Sequence, residues 1–79
     1  MKAIVVGMGV QGTKRKKSLR NDFICSVDNF KKSNYKSIKK VPLNIYDTVF
    51  VCVPDEEKVK IIRYSLRNKK NVLVEKPFI

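Results

Sequence analysis

Residues 3–12 read Ala3-Ile4-Val5-Val6-Gly7-Met8-Gly9-Val10-Gln11-Gly12. The segment opens with four apolar residues and is closed at once by a glycine, which is typical of a strand buried on both faces of a parallel sheet. The residues from Gln11 to about Arg20 are polar and compatible with a helix. The segment therefore predicts a strand, a tight turn and a short helix in that order.

The loop between this strand and helix has the spacing G-x-G-x-x-G. Gly7 could make the tight turn, Gly9 could let a pyrophosphate approach the backbone, and Gly12 could let the helix pack on the strand. The unpaired amides and partial positive charge at a helix amino terminus favour phosphates. A glycine-rich turn that binds nothing is the alternative. The loop predicts a dinucleotide site that includes Gly7, Met8, Gly9, Val10, Gln11 and Gly12.

An acidic residue ends the second apolar run, Phe23 to Val27. This residue, Asp28, stands close to the spacing of about 20 residues after the glycine loop at which an acid reaches the adenosine ribose of a dinucleotide. Its carboxylate would accept hydrogen bonds from both ribose hydroxyls and repel the extra phosphate of NADP, so NAD is the predicted cofactor. Lys31 and Lys32 could offer that phosphate a countercharge, which leaves NADP as the alternative. The turn residue Asn29 completes this part of the predicted site.

The middle of the chain has weaker patterns. Residues 30–46 contain five lysines and few apolar residues, so they predict a connection with one helical turn around Ser37 to Lys40. A third strand is predicted over Asp47 to Val53 and is stopped by Pro54, whose missing amide hydrogen and fixed φ suit the exit from a strand.

A second helix is predicted to begin at Asp55-Glu56-Glu57, whose carboxylates complement the positive end of the helix dipole. Its predicted buried stripe consists of Val59, Ile62 and Leu66. A last strand follows over Val72 to Val74. The alternation of strands and helices predicts an α/β fold, a Rossmann-type parallel sheet with flanking helices, shortened to about four strands.

Composition limits the classes of function. The formal net charge of +11 favours acidic partners. The basic clusters Lys14-Arg15-Lys16-Lys17, Lys31-Lys32 and Lys39-Lys40 are interpreted as solvated faces, so nucleic acid is not the expected partner, and a basic nucleic-acid-binding module is kept as an alternative. The chain has no histidine and no Cys-x-x-Cys pair, so no metal site is expected.

Location is predicted from the same features. Cys25 and Cys52 lie in separate apolar runs and are expected to be reduced thiols, as in the cytosol. Neither a signal peptide nor a run of about 18 apolar residues is present. We therefore expect a cytoplasmic protein with no membrane partner.

Three segments of the chain resemble one family of oxidoreductases. They are the glycine loop, the strand and proline of residues 47–54, and the ending Asn71-Val72-Leu73-Val74-Glu75-Lys76-Pro77. In these segments the chain resembles the Gfo/Idh/MocA oxidoreductases, which are named for glucose-fructose oxidoreductase, inositol dehydrogenase and a rhizopine-catabolism protein. The resemblance implies a nicotinamide cofactor that exchanges hydride with a sugar, cyclitol or sugar nucleotide.

The resemblance also implies roles for residues outside the glycine loop. It places Lys76 beside the nicotinamide ribose and the reacting carbon, where an ammonium group would orient substrate oxygens and ease proton transfer as the catalytic residue. It implies that Pro77 shapes that loop. Further cofactor contacts are expected from Val53, Pro54 and Glu75, as well as from Lys76 and Pro77 themselves.

The chain departs from the family pattern in two places. The family has Asn-x-x-His after the proline, whereas this chain has Asp55 and Lys58, so the contacts expected near the nicotinamide are altered. The connection from Asn29 to Tyr46 is also shorter than usual. We therefore expect the helix and strand normally placed there to be reduced or absent.

The family enzymes continue into a separate substrate domain. We therefore expect residues 1–79 to be a partial dinucleotide-binding domain, truncated before the substrate domain and not catalytically complete alone. A small-molecule substrate would bind only if a second domain is supplied. Residues Val72 to Val74 are expected at an uncovered sheet edge, through which a homo-oligomer could form. A non-catalytic module that senses a dinucleotide is the alternative function.

Overall fold

The computed structural model describes residues 1–75, so the predicted site residues Lys76 and Pro77 lie outside the described residues. The elements follow the predicted order of strand, helix, strand, connection, strand, helix and strand. The strands and α-helices are β1 (Ala3–Val6), α1 (Val10–Leu19), β2 (Phe23–Val27), β3 (Thr48–Val51), α2 (Asp55–Arg67) and β4 (Asn71–Val74).

The four strands form one parallel sheet in the order β2-β1-β3-β4. Strand β1 lies in the interior of the sheet and all four of its residues are buried, which explains its unbroken apolar sequence. Its side chains alternate between two cores. Ala3 and Val5 pack with Leu19 of α1, whereas Ile4 and Val6 belong to the core on which Ile61 of α2 packs. The two helices therefore cover opposite faces of the sheet.

The connection after β2 contains only two short 3-10 turns, Ile38–Lys40 and Leu43–Ile45. It also returns along the outer edge of β2, where Tyr35 makes an isolated parallel bridge with Val27. The side chain of Asn34 accepts a hydrogen bond from the Ser26 amide at 2.9 Å. A single bridge and two 3-10 turns thus replace the strand and helix that a longer connection would form. The helical turn predicted around Ser37 to Lys40 is the first of these two 3-10 turns.

The buried side of α2 differs from the predicted stripe. Val59 and Leu66 are 53% and 60% exposed, so their assignment to the core was wrong. Ser65 is fully buried instead, with its hydroxyl donating to the Ile61 carbonyl at 2.7 Å. A small residue with an internally satisfied hydroxyl lets the helix lie close to the sheet, and a search for large apolar residues misses it.

Strand β4 pairs with β3 on one side. Leu73 and Val74 are 48% and 46% exposed, although they belong to the sheet. Within residues 1–75 no other strand pairs with the outer edge of β4. The predicted uncovered edge is therefore present in the described part of the chain.

Candidate dinucleotide-binding site

A cleft of about 940 Å³ opens where the carboxyl ends of β1, β2 and β3 meet. The helix that follows β1 lies on one face of the sheet, and the helix that follows β3 lies on the other. The point between the two strands is a topological switch point, which is where open parallel sheets bind ligands. Eight of the predicted cofactor residues line the cleft: Gly7, Gly9, Val10, Gln11, Asp28, Asn29, Val53 and Pro54. Three separate loops thus contribute to one site.

The first glycine of the loop is held in a conformation that few other residues adopt. Gly7 has φ +98°, and a Cβ atom there would lie 2.6 Å from the carbonyl oxygen of Cys52. Its amide donates to the Val27 carbonyl at 2.7 Å. Gly7 therefore turns the chain between two neighbouring strand ends without room for a side chain.

The other two glycines differ in the space around them. A Cβ atom on Gly12 would lie 1.7 Å from the Gly7 carbonyl oxygen, whereas one on Gly9 would have no atom within 4 Å. Gly12 therefore permits the close contact between α1 and the loop. Gly9 faces open space in the cleft, where a ligand could approach the backbone.

Helix α1 begins at this open position. Its N-cap is Gly9, no side chain among residues 1–75 caps it, and its first turn contains no acidic residue. The first amides of a helix have no partner within the helix, and they carry the positive end of its dipole. The amino terminus of α1 therefore offers uncompensated donors to an anionic group in the cleft.

Asp28 joins the glycine loop to the turn after β2. Its Oδ2 accepts a hydrogen bond from the Met8 amide at 2.7 Å, and its Oδ1 accepts from the Phe30 and Lys31 amides, each at 2.8 Å. Partial burial acts to raise the pKa of Asp28, but these bonds and the Lys31 charge outweigh it and hold the pKa below its usual value. The carboxylate is thus ionised and held in place.

The hydrogen bonds of Asp28 limit what else it can bind. A carboxylate offers about four acceptor positions. Three of them are filled, with two on Oδ1 and one on Oδ2. In this arrangement Oδ2 keeps one position for a ligand hydroxyl, whereas the sequence predicted bonds to both ribose hydroxyls.

Glu75 contacts α1 instead of lining the cleft. Its Oε1 accepts from Nε of Arg15 at 2.6 Å and lies 2.5 Å from the terminal nitrogen Nη2 of the same guanidinium. The Arg15 guanidinium also stacks 5.1 Å from the ring centroid of Phe50. This contact ties the end of β4 to the helix that carries the glycine loop. Lys76 follows directly in the sequence.

Cys52 lines the cleft after β3. Desolvation and the Glu75 carboxylate raise the pKa of this thiol to about 11, against the smaller opposing effects of Arg15 and Lys58. Lys58 also pairs with Asp55 at 2.9 Å, so the two residues that depart from the family pattern bind each other. The thiol is therefore protonated and weakly nucleophilic at neutral pH.

We expect Cys52 in a Cys25→Ala variant to react with iodoacetamide at pH 8 at least about tenfold more slowly than a free thiol, since roughly one thiol in a thousand is ionised and the greater nucleophilicity of a high-pKa thiolate offsets only part of this. Alkylation rates followed by mass spectrometry from pH 7 to 11 test this expectation. Adding Glu75→Gln should accelerate the reaction, because it removes a carboxylate that disfavours the thiolate. Alkylation at the free-thiol rate at pH 8 would contradict the predicted pKa.

Some predicted residues support the cleft without lining it. Met8 binds Asp28 through its amide, Gly12 packs under the loop, and Glu75 pairs with Arg15. The prediction missed a group of basic residues that also line the cleft, of which Lys60, Arg63 and Arg67 belong to α2. The sequence signal that could have found these three residues is their spacing of three and four positions along one helix.

Other kinds of site find little support among the described residues. Within residues 1–75 no group of three His, Cys, Asp or Glu side chains is arranged to hold a metal ion. The same residues contain no helix that is both long and apolar enough to cross a membrane.

A parallel sheet with a glycine loop at its switch point, an uncapped helix amino terminus and an acid after the second strand defines a dinucleotide-binding domain. A family model described as an oxidoreductase family with an NAD-binding Rossmann fold matches residues 1–79. The chain belongs to this family, the Gfo/Idh/MocA oxidoreductases, which confirms the resemblance and the shortened Rossmann fold. Comparisons with curated proteins and with solved structures give no match.

Proposed function

We propose that this chain is the cofactor-binding part of an NAD-dependent dehydrogenase that acts on a sugar, cyclitol or sugar nucleotide. The open space at Gly9 beside the uncapped start of α1 is the observation that supports the proposal most directly. The cofactor pyrophosphate would bind the α1 amides, and Asp28 would bind one ribose hydroxyl through its remaining Oδ2 position. NAD is preferred because an ionised Asp28 disfavours an added phosphate at that ribose.

The proposed chemistry beyond binding depends on the family and on Lys76. A bound nicotinamide would supply hydride transfer, and the Lys76 ammonium would orient the substrate oxygen and hold or release its proton. Arg15 would fix the strand end that precedes Lys76 through its contact with Glu75. In this proposal residues 1–79 hold the cofactor, a second domain supplies the substrate site, and the enzyme acts in the cytoplasm.

Titration with NADH and NADPH, followed by cofactor fluorescence, tests the cofactor part of this proposal. We expect saturable NADH binding that is tighter than NADPH binding. Gly9→Val should weaken NADH binding at least tenfold with little change in Tm, because the new side chain extends into ligand space from a Cβ position that has no protein atom within 4 Å. Lys17→Val introduces the same side chain on an exposed position outside the cleft, so it is the control and should leave the affinity unchanged.

Two results would change the proposal. Tighter binding of NADPH would show that cations such as Lys31 and Lys32 outweigh Asp28, and would assign the protein to NADP. Absence of binding by either cofactor, in a chain that unfolds cooperatively, would contradict the cofactor assignment.

A further inference from the structure

The cleft continues beyond the cofactor loops as a groove along α2. Lys60, Arg63 and Arg67 of α2 line it, and so do Lys36 and Lys39 of the connection after β2. Arg67 is about 18 Å from the start of α2 along the helix axis, at about 1.5 Å per residue. These five cations are termed the basic groove below, and its α2 members extend along most of the length of that helix.

The basic groove is not neutralised by the protein. Among residues 1–75 none of its five cations forms a salt bridge with a carboxylate. Among residues 1–75 only Asp28 and Glu57 place carboxylates on the lining of the cleft, and Asp28 is already bonded to three amides. Uncompensated cations that line one cleft raise the local concentration of anions.

The groove exists because the connection after β2 is short. That connection contributes a 3-10 turn opposite α2, so no α-helix fills the space between them. The resulting lining is largely apolar and includes Val27, Ile38 and Ile61. Two aromatic residues also line it, the half-buried Tyr64 and Phe30, which is 86% exposed.

We propose that the basic groove binds single-stranded nucleic acid. Grooves of this kind combine cations that follow the phosphates with aromatic faces on which bases stack, and they tolerate many sequences. The five cations would bind phosphates, and Phe30 and Tyr64 would stack bases. An acidic peptide could satisfy the cations but would leave the exposed Phe30 ring without a base to stack on.

The basic groove consists mostly of residues other than those in the lysine clusters identified from the sequence. Only Lys31 and Lys39 of the earlier lysine clusters line the cleft, and the Lys14 to Lys17 cluster lies on α1, which covers the opposite face of the sheet. The residues that matter here were brought together by the fold. The inference goes beyond the proposed cofactor function and does not require hydride chemistry.

Fluorescence anisotropy of the full chain with a labelled twelve-nucleotide oligouridine or oligothymidine tests the groove. With three to five phosphate contacts, we expect binding to weaken about 20- to 100-fold between 50 and 200 mM salt. Arg63→Glu with Arg67→Glu should weaken binding more than tenfold. The control pair Lys17→Glu with Lys69→Glu makes the same charge change on exposed residues outside the cleft, and should weaken it less than threefold.

Further measurements distinguish a loss of binding from a loss of folding. Circular dichroism and Tm check each variant, and Arg63→Gln with Arg67→Gln should show the same loss if charge reversal harms the fold. Phe30→Ala removes an exposed ring and should weaken binding about fivefold or more, because stacking contributes to each bound base. NADH affinity of the Arg63 and Arg67 variants should match that of the parent, so the cofactor and groove proposals fail independently.

Three outcomes would overturn the proposal. Equal losses from both charge-reversal pairs would show a diffuse charge effect. Displacement of the oligonucleotide by polyglutamate at equal charge concentration would show an acidic peptide site. Loss of NADPH affinity alone in the Arg63 and Arg67 variants, without oligonucleotide binding, would assign these cations to the ribose phosphate of a dinucleotide.

Discussion

Gly12→Ala is expected to remove a large share of the domain's stability. The new Cβ atom would lie 1.7 Å from the Gly7 carbonyl oxygen, and the Gly7 backbone is itself held by the bond from its amide to the Val27 carbonyl. Neither side can move without opening the contact between α1 and the sheet. Overpacking of this kind costs about 3 kcal/mol or more.

The effect of Gly12→Ala is large because the domain is small. At about 0.05–0.15 kcal/mol per residue, 79 residues have a total stability of roughly 4–12 kcal/mol. Urea denaturation followed by circular dichroism measures the loss. Gly9→Ala is the matched control, since its Cβ atom has no neighbour within 4 Å and its φ of −75° suits any residue. A Gly12→Ala protein as stable as Gly9→Ala would contradict the packing described for α1.

Asp28→Ala is expected to lower both stability and NADH affinity. The substitution leaves the amides of Met8, Phe30 and Lys31 without their acceptor. The Phe30 and Lys31 amides can turn to water, but the partly buried Met8 amide cannot do so freely. We expect a loss of about 1–3 kcal/mol, the range for leaving a buried donor without its acceptor.

Asp28→Asn separates the two roles of this carboxylate. Asparagine keeps an oxygen for Phe30 and Lys31 but turns an amide group toward the Met8 amide or the ligand. We expect a smaller loss of stability than in Asp28→Ala and a loss of NADH affinity in both variants. Full NADH affinity in Asp28→Asn would show that the residue only organises the loop.

The pH dependence of stability supplies a further check on Asp28. Its pKa is lowered by folding, so its stabilising contribution is complete above the unfolded value of about 4. The contribution is lost as the pH falls from there through the folded pKa. Urea midpoints measured between pH 2 and 7 should therefore fall less steeply below pH 4 in Asp28→Asn than in the parent.

The parts of the fold that follow from local patterns were predicted well. The strand, loop and helix of residues 3–19 depend on an apolar run and on glycine spacing, and both are visible in the sequence. Strand β3 was predicted too long, because Cys52 and Val53 continue the apolar run but leave the strand to line the cleft. An apolar run does not distinguish a sheet residue from a cleft residue.

The other differences depend on contacts between distant parts of the chain. The path of residues 29–46 is fixed by bonds such as those from Asn34 to Ser26, which no local pattern reveals. The basic groove likewise combines cations that are more than 20 positions apart in the sequence, such as Lys39 and Lys60. The glycine loop and Asp28 were predictable because the spacing between them is typical of dinucleotide-binding domains.

The return of the chain along β2 also restricts how sheets of two molecules could join. Asn34 and Tyr35 bind the amide and carbonyl of Ser26 and the amide of Asp28, so within residues 1–75 the part of this edge left open is Phe23 to Cys25. Three residues are at the lower limit for a strand. Addition of a strand would therefore be confined to the β4 edge, and an assembly that grows from one edge closes as a pair instead of extending into a fibre.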